Sequence, residues 1–376
     1  MPSPRAGTLN RRDFLAVAGL TAAGGAAFAL TGCSPVVPAG AAATPPLATY
    51  RSRRDLQPPT VTVNTSDPRT APGAIFLAAK GPLIIDERGE PVWYLPYTGT
   101  TLATNVTTQM LHGLPVITWW QGTIIPMGYG LGEYMIYDSS YRHRHTVRAA
   151  KGLQGDLHEF LLTQSGTAMF TAYTPLAYDL RQWGGPQRGH LLDSVVQEVD
   201  VATGKLLFEW RASDHVDPWE SYAAAPTGAK NPIPYDFFHV NSIDLDDDGN
   251  LLVSARNTWT VYKIERSSGD VLWRLGGKRN SFSMGPDVQF SWQHDARWQA
   301  DGTMTLFDDG AGPQVEPYSR ALVLAVDETD MTASVLASYV HPDHLLATSQ
   351  GSMEVLPNGN VFVGYGALPN FSEYAS

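Results

Sequence analysis

Three stretches of this 376-residue chain share one frame: His158-Glu-Phe-Leu-Leu-Thr-Gln-Ser-Gly166, His239-Val-Asn-Ser-Ile-Asp-Leu-Asp-Asp-Asp-Gly249 and His294-Asp-Ala-Arg-Trp-Gln-Ala-Asp-Gly302. Each begins with a histidine, reaches a turn glycine and continues into an apolar run. This order is typical of a strand, a tight turn and a second strand. Residues 350–359 have the same frame without the histidine. We therefore predict a β-repeat in which equivalent positions meet in space.

A second repeated phrase is a glycine turn followed by a strand that ends in tryptophan, at Trp93, Trp210 and Trp273. It alternates with the histidine phrase, and two hairpins per unit are what a four-stranded propeller blade needs. We predict an all-β propeller of five or six blades, with six favoured and one of them closed by the termini. The blades are expected near residues 75–120, 130–175, 190–256, 260–310 and 320–365. The alternative, a pair of β-sandwiches, gives no reason for the periodic histidines.

The C-terminal part of the chain predicts an unfinished blade. Residues 361–366 have the pattern of an inner strand, and residues 372–374 that of the start of the next strand. An open sheet edge lowers stability and favours aggregation. Either the last blade is incomplete or a segment near residues 61–63 completes the ring.

The N-terminus predicts export. A twin-arginine pair, Arg11 and Arg12, precedes the apolar run 16–30, which is too short for a comfortable membrane span and typical of a signal peptide. Leu30-Thr31-Gly32-Cys33 resembles a lipoprotein cleavage site, so we expect a lipid on Cys33, the only cysteine. The expected location is the outer face of the bacterial cytoplasmic membrane.

These signals divide the chain into a signal peptide (1–32), a lipidated cysteine with an Ala/Pro-rich tether (33–70) and a catalytic propeller (71–376). The net charge is −11, from 26 basic and 37 acidic residues. Loss of residues 1–32 leaves 23 basic and 36 acidic residues, a net charge of −13. A domain this acidic is a poor nucleic-acid binder, so no nucleic-acid partner is expected.

The three framed histidines and Arg256 suggest a site for a small anion. Three histidines also suit Zn²⁺, but a guanidinium in the same cluster would repel a dication. Residues 244–249 match the first half of a calcium loop, yet Ala255 stands where the bidentate glutamate is required. We therefore predict no metal and no cofactor, and interpret 244–249 as a polar hairpin tip.

Three short motifs carry a family resemblance: Phe238-His239-Val240-Asn241-Ser242, Ser254-Ala255-Arg256 and Trp292-Gln293-His294. Together they resemble the bacterial arylsulfotransferase family over most of residues 71–376. The resemblance implies a six-bladed propeller that moves a sulfuryl group from an aryl sulfate to a phenol without a nucleotide donor. It implies a ping-pong reaction through a sulfohistidine on His294, with sulfuryl oxygens held by His158, His239, Asn241 and Arg256.

Aromatic walls are needed for an aryl substrate, and the candidates are Trp119, Trp120, Trp259 and Trp292. His158 or His239 is a candidate general acid for the departing phenolate. Two other functions fit the same residues: a non-catalytic extracellular propeller that binds an anionic ligand or a protein partner, and an aryl-sulfate hydrolase that uses water as acceptor.

Overall fold

A computed structural model describes residues 53–227 and 233–376 and, outside them, the two-residue strand Asp13–Phe14. The signal peptide, the tether up to residue 52 and Cys33 otherwise lie outside the described residues. The described chain is all-β, as the sequence predicts: strands in five sheets account for nearly all regular structure. The helical segments are one short α-helix and two 3-10 turns: α1 (Ala212–His215), Arg181–Trp183 and Pro218–Glu220. No helix in this part of the chain has the length and apolarity to cross a bilayer.

The first sheet has four strands in chain order: β1 (Asp13–Phe14), β2 (Ile75–Ala78), β3 (Pro82–Ile85) and β4 (Pro91–Tyr94). The pairings β2–β3 and β3–β4 are antiparallel, whereas β1 runs parallel to β2. The segment 61–63, one of the two alternatives for completing the ring, forms no strand.

The second sheet contains eight strands: β5 (Leu102–Leu111), β6 (Leu114–Ile124), β7 (Gly130–Asp138), β8 (His143–Val147), β9 (Gly155–Leu162), β10 (Thr167–Tyr178), β11 (Gly189–Asp200) and β12 (Leu206–Arg211). It consists of two antiparallel four-stranded halves. They are joined through β7 and β9, which share the single pair Gly132–Gly155. The two halves therefore share almost no strand pairing, although an apolar cluster packs between them.

In the third and fifth sheets, neighbouring strands are consecutive in the chain, whereas the fourth sheet contains one parallel pair of non-consecutive strands. The third contains β13 (Val240–Leu245), β14 (Leu251–Ala255), β15 (Thr260–Ile264) and β16 (Val271–Gly276). The fourth contains β17 (Ser283–Met284), β18 (His294–Trp298), β19 (Met304–Asp308), β20 (Arg320–Asp327) and β21 (Thr332–Val340). Here β17 pairs in parallel with β21. The fifth contains β22 (Ser352–Val355), β23 (Val361–Gly364) and β24 (Phe371–Tyr374).

The core lies between neighbouring sheets. Separate apolar clusters join the first sheet to the second, the two halves of the second, the second to the third, the third to the fourth and the fourth to the fifth. A further cluster joins Leu83 of the first sheet to Leu356 and Phe362 of the fifth. Two hydrogen bonds strengthen this last contact, from Asn360 Nδ2 to Arg69 O (2.8 Å) and from Ala71 N to Glu373 Oε1 (2.6 Å).

The alternation of two hairpins is confirmed, but the predicted unit boundaries are wrong by two strands. The third sheet starts with the hairpin after His239 and ends with the strand that contains Trp273. The predicted unit 190–256 instead mixes β11 and β12 of the second sheet with β13 and β14 of the third. The sequence shows that the two hairpins alternate, and only the pairing of strands decides which neighbours share a sheet.

Candidate active site

The site is built from five equivalent places of the repeat, at β5, β9, β13, β18 and β22. Each contributes the residue that stands eight positions before the turn glycine of its hairpin. Four of these residues lie within the strand and Gly351 directly precedes β22: Asn105, His158, Asn241, His294 and Gly351, counted back from Gly113, Gly166, Gly249, Gly302 and Gly359. All five line one cavity of about 60 Å³, which has room for a few water molecules. Equivalent positions of the repeat therefore do converge.

The three predicted histidines lie together, although the nearest two of them in sequence are 55 residues apart. The His158 ring centroid is 5.0 Å from that of His239, edge to face, and 6.4 Å from that of His294. Tyr173 of β10 packs 6.2 Å from His158 and 5.6 Å from His239, between ring centroids. Burial raises the pKa of Tyr173, and its hydroxyl donates to Val240 O at 2.6 Å.

Each histidine has a carboxylate on the same ring nitrogen. The Nδ1–Oδ2 distances are 2.6 Å for His158–Asp156, 2.5 Å for His239–Asp236 and 2.7 Å for His294–Asp309. A carboxylate on Nδ1 fixes the ring orientation and leaves Nε2 for other chemistry. The three Nε2 atoms are therefore the reactive positions of the cluster.

His294 has the best defined protonation state. Its Nε2 accepts the backbone N–H of Gln350 at 3.2 Å, so the ring proton lies on Nδ1 and is donated to Asp309. Burial, the positive charge of Arg256 and the other two histidines lower the pKa of His294 well below its ordinary value. The ring is thus neutral and carries its lone pair on Nε2.

Two of the carboxylates behind the histidines, Asp156 and Asp309, are fully buried, and Asp236 is partly exposed. Burial raises the pKa of Asp309, and the positive charge of Arg256 opposes this effect. Because His294 donates its Nδ1 proton to Asp309, the Oδ2 atom of Asp309 acts as the acceptor. At Asp156 burial acts in the same direction, yet the charge and hydrogen bond of His158 outweigh it and lower the pKa.

Arg256 is held beside the cluster by two backbone carbonyls, one after β19 and one after β21, and by the neighbouring Asn257. Its guanidinium donates to Gly312 O (3.1 Å), Thr348 O (3.2 Å) and Asn257 Oδ1 (3.0 Å), and lies 4.8 Å from the Trp292 ring centroid. No carboxylate pairs with it among the described residues. Burial lowers its pKa, but a guanidinium stays charged in proteins. A cation without a carboxylate partner is suited to an anionic ligand.

Two of the four predicted aromatic walls lie beside Arg256. Trp292 and Trp259 contact each other edge to face at 5.2 Å between centroids. Both have left-handed backbone conformations, with φ of 57° and 52°. Bulky residues rarely adopt this conformation, and such residues cluster at functional sites.

The other two tryptophans predicted to contact an aryl substrate, Trp119 and Trp120, do not lie at the histidine cluster. Both are fully buried in the core, where the Trp119 indole donates to Tyr97 and the Trp120 indole to Gly155 O. Consecutive strand residues point to opposite faces, so these two cannot line one pocket. Strand β6 lies between β5 and β7, and both of its faces are covered.

Asn241 is at the site, but its amide is engaged. Nδ2 donates to Gln293 O at 2.6 Å, and Oδ1 has no partner among the described residues. In this orientation the side chain offers an acceptor to the cavity. A sulfuryl oxygen needs a donor, so its binding would require the amide to turn.

Several site residues were not found from the sequence: Asp156, Asp236, Asp309, Tyr173, Asn105 and Gln350. Counting back from the turn glycine would have identified Asn105, because it occupies the position of His158 and His294. Asp156 and Asp236 stand two and three residues before their histidines, a weak signal. Asp309 follows the neighbouring strand, and only the fold brings it to His294.

No group of histidine, cysteine, aspartate or glutamate side chains suited to a metal ion is found within 53–227 and 233–376. The suspected calcium loop is a polar hairpin tip, as predicted. Asp246 accepts backbone N–H groups of Asp248 (3.0 Å) and Asn250 (2.8 Å) and pairs with Lys263 at 2.9 Å.

The fold and site define an all-β protein with a cluster of three carboxylate-backed histidines. Two of them, His158 and His294, line a small cavity, and Arg256 lies beside the cluster. The model of the family Arylsulfotransferase (ASST) matches residues 107–376, more than two thirds of the sequence. The chain belongs to the arylsulfotransferase family, as its motifs predict. Family membership supports a sulfotransferase-type function with aryl sulfate and phenol substrates.

No curated protein matches this chain significantly. Among solved structures, a protein of unknown function from Bacteroides caccae is 12% identical, with a TM-score of 0.45 and coverage of 78% of this chain and 82% of that one. A streptogramin B lyase is 12% identical, with a TM-score of 0.40 and coverage of 80% and 79%. The virginiamycin B lyase of Staphylococcus aureus is 10% identical, with a TM-score of 0.35 and coverage of 79% and 77%. At these TM-scores the similarity does not support a function for this chain.

Gly312 is the basis of a first prediction, because a Cβ there would lie 2.4 Å from Arg256 Nη2 and 2.7 Å from Thr348 O. We expect Gly312→Ala to displace Arg256 and to lower kcat/KM for 4-nitrophenyl sulfate by about 10- to 100-fold. Gly204→Ala is the control, since Gly204 also has a positive φ but no atom within 4 Å of its Cβ position. Equal kcat/KM in the two variants would refute the role of Gly312.

Proposed function

We propose that this protein is an exported, membrane-tethered sulfotransferase that moves a sulfuryl group from an aryl sulfate to a phenol. The reaction is ping-pong through a sulfohistidine on His294 and uses no nucleotide sulfate donor or other cofactor. The observation that carries the proposal is the state of His294: a neutral, buried imidazole whose Nδ1 proton is held by Asp309 and whose unprotonated Nε2 has only the Gln350 N–H as a partner, a hydrogen bond that attack on sulfur would replace. Such an imidazole is a nucleophile at neutral pH and an adequate leaving group afterwards.

In the first half-reaction, Nε2 of His294 attacks the sulfur of the donor. The Nε2–S bond forms as the bond between sulfur and the aryl oxygen breaks, and the phenolate leaves with a proton from a general acid. In the second half-reaction the conjugate base of that acid removes the proton of the acceptor phenol. The phenol oxygen then bonds to sulfur as the Nε2–S bond breaks. Asp309 stabilises the positive charge on the ring in both steps, as a buried carboxylate does for a histidine in an acyl-transfer triad.

Charge on the peripheral sulfuryl oxygens is the main electrostatic problem, because the transition state of such transfers is loose. Arg256 supplies a fixed cation, held by two backbone carbonyls. His158 and His239 point Nε2 away from their carboxylates and serve as further donors or as the general acid. Both remain candidates for the acid, since each has the same carboxylate support.

We also propose that the five sheets form six blades around one axis. The single strand pair between the two halves of the second sheet supports counting them as two blades, and so supports the count of six. The cluster that joins Leu83 to Phe362 supports a contact between the first and last blades. The convergence of five repeat-equivalent residues on one cavity fits a common axis.

Export and tethering are proposed from the N-terminal sequence. The twin arginines, the short apolar run and the cleavage motif before Cys33 support export by the twin-arginine route and a lipid on the thiol. We expect Cys33→Ser to move the protein out of the membrane fraction, because the variant has no thiol for the lipid. Membrane association of the variant, measured by fractionation and fatty-acid labelling, would exclude this anchor.

Replacement of the nucleophile tests the mechanism. We expect His294→Ala to abolish release of 4-nitrophenol from 4-nitrophenyl sulfate and to abolish an adduct of about 80 Da, one SO₃ group, in the intact mass of the donor-treated enzyme. His190→Ala, which changes an exposed histidine outside the cluster, should behave as wild type.

The same assay separates the alternatives. Release that depends on added phenol supports transfer, and release that does not depend on phenol supports hydrolysis. No release under any condition supports a binding protein. Activity retained by a folded His294→Ala variant would remove His294 as the nucleophile.

The pH dependence follows from the neighbours of His294. Besides burial, the charge of Arg256 lowers the pKa of His294, so its loss raises that pKa and protonates the ring at higher pH. We expect the acid limb of kcat/KM for the donor to move to higher pH in Arg256→Gln, with a lower plateau. Arg181→Gln, at an exposed pair with Asp179, is the control. An acid limb that stays in place would show that Arg256 does not act on the nucleophile.

A further inference from the structure

A continuous row of aromatic rings leads from Arg256 to the surface. Trp292 lies under Arg256, and Trp259 contacts Trp292. Tyr222 stacks on Trp259 with a centroid distance of 3.7 Å and an interplanar angle of 5°. The Lys278 ammonium lies 4.9 Å from the Tyr222 centroid, so the row has a cation at each end.

The outer end of this row is rigidly held. The segment 217–223 contains the 3-10 turn Pro218–Glu220 and contacts the third sheet through Glu220. Buried Glu220 binds Arg274 at 3.0 Å, and the Tyr222 N–H donates to Asn257 O at 2.7 Å. Asn257 in turn accepts from Arg256, so the outer end is coupled to the catalytic cation. A surface with this support is preformed for a ligand.

Two polar groups on this row lack a complete set of partners. The Trp259 indole N–H is buried and has no acceptor among the described residues. The Lys278 ammonium donates to Trp219 O (2.9 Å) and Ser221 O (2.6 Å), and an ammonium has three N–H donors. No carboxylate of the described chain pairs with Lys278. A buried indole N–H without an acceptor is costly, and an acceptor atom of a ligand would relieve that cost.

We propose that Tyr222, Trp259 and Lys278 form an outer subsite for substrates that carry a second, anionic substituent on an extended aromatic framework. The inference rests on the proposed sulfuryl transfer and names its substrate class. The aromatic rings contact the framework, the Trp259 N–H binds an oxygen, and Lys278 binds a carboxylate or second sulfate. The protein is acidic as a whole, so a cation without a carboxylate partner near the site discriminates among anions.

The test compares two acceptors that differ only in charge, 4-hydroxybiphenyl and 4′-hydroxybiphenyl-4-carboxylate, with 4-nitrophenyl sulfate as donor. We expect the full-length enzyme to prefer the carboxylate by about tenfold in kcat/KM at low salt, and less at high salt. Lys278→Gln is expected to remove the preference while turnover of the neutral acceptor stays within about twofold. Trp259→Phe, which keeps a ring but removes the N–H, should lower kcat/KM for the carboxylate more than for the neutral acceptor.

Lys205→Gln, at a hairpin turn outside the row, is the matched control and should keep the preference. The neutral acceptor separates the two proposals. No transfer to either acceptor by wild type refutes the sulfotransferase itself. Transfer without a preference, or a preference that survives Lys278→Gln, refutes only the outer subsite. Equal losses with both acceptors in Lys278→Gln would show that Lys278 merely holds the segment 217–223, and the subsite would be wrong.

Discussion

The contact between Asp309 and Nδ1 of His294 is the constraint on which the site depends. It fixes one tautomer, so that the lone pair of the nucleophile is on the opposite ring nitrogen. A buried carboxylate and a nearby guanidinium have opposite effects on a histidine: the first favours the imidazolium, and the second opposes it. Arg256, a neighbour of both, helps to keep the resting ring neutral. When the ring gains a sulfuryl group and positive charge, the carboxylate is already in place to stabilise it.

The repeat explains how residues from distant parts of the chain line one small cavity. Each unit contributes the residue eight positions before its turn glycine, so chemically different residues occupy equivalent places. Two units contribute histidines there, two contribute asparagines and one contributes Gly351. His239 reaches the cluster from a position two residues earlier, with a left-handed backbone. The repeat thus fixes where the side chains lie, and different residue types at the equivalent position give the site different chemical groups.

The loop after β19 shows how supporting contacts are concentrated. It starts with Asp309 on His294, continues through Gly312 O on Arg256, and ends with Pro313 O, which accepts the Trp292 indole at 2.9 Å. Nucleophile, cation and aromatic wall are therefore positioned by five consecutive residues. Loops that carry function on a rigid sheet scaffold are common, because strands supply rigidity and loops supply variety.

The sequence by itself determined the all-β class, the alternating hairpins, the family and the meeting of His158, His239, Asn241 and His294. These follow from local signals: period-two apolar runs, turn glycines and a repeated frame. Only the tertiary structure decided which hairpins share a sheet, that Trp119 and Trp120 belong to the core, and which carboxylate supports each histidine. No sequence pattern links Asp309 to His294. Its role arises from the register of the β18–β19 hairpin, which pairs His294 with Phe307 and so brings the end of β19 to the histidine ring. The turn glycine predicts the hairpin but not its register.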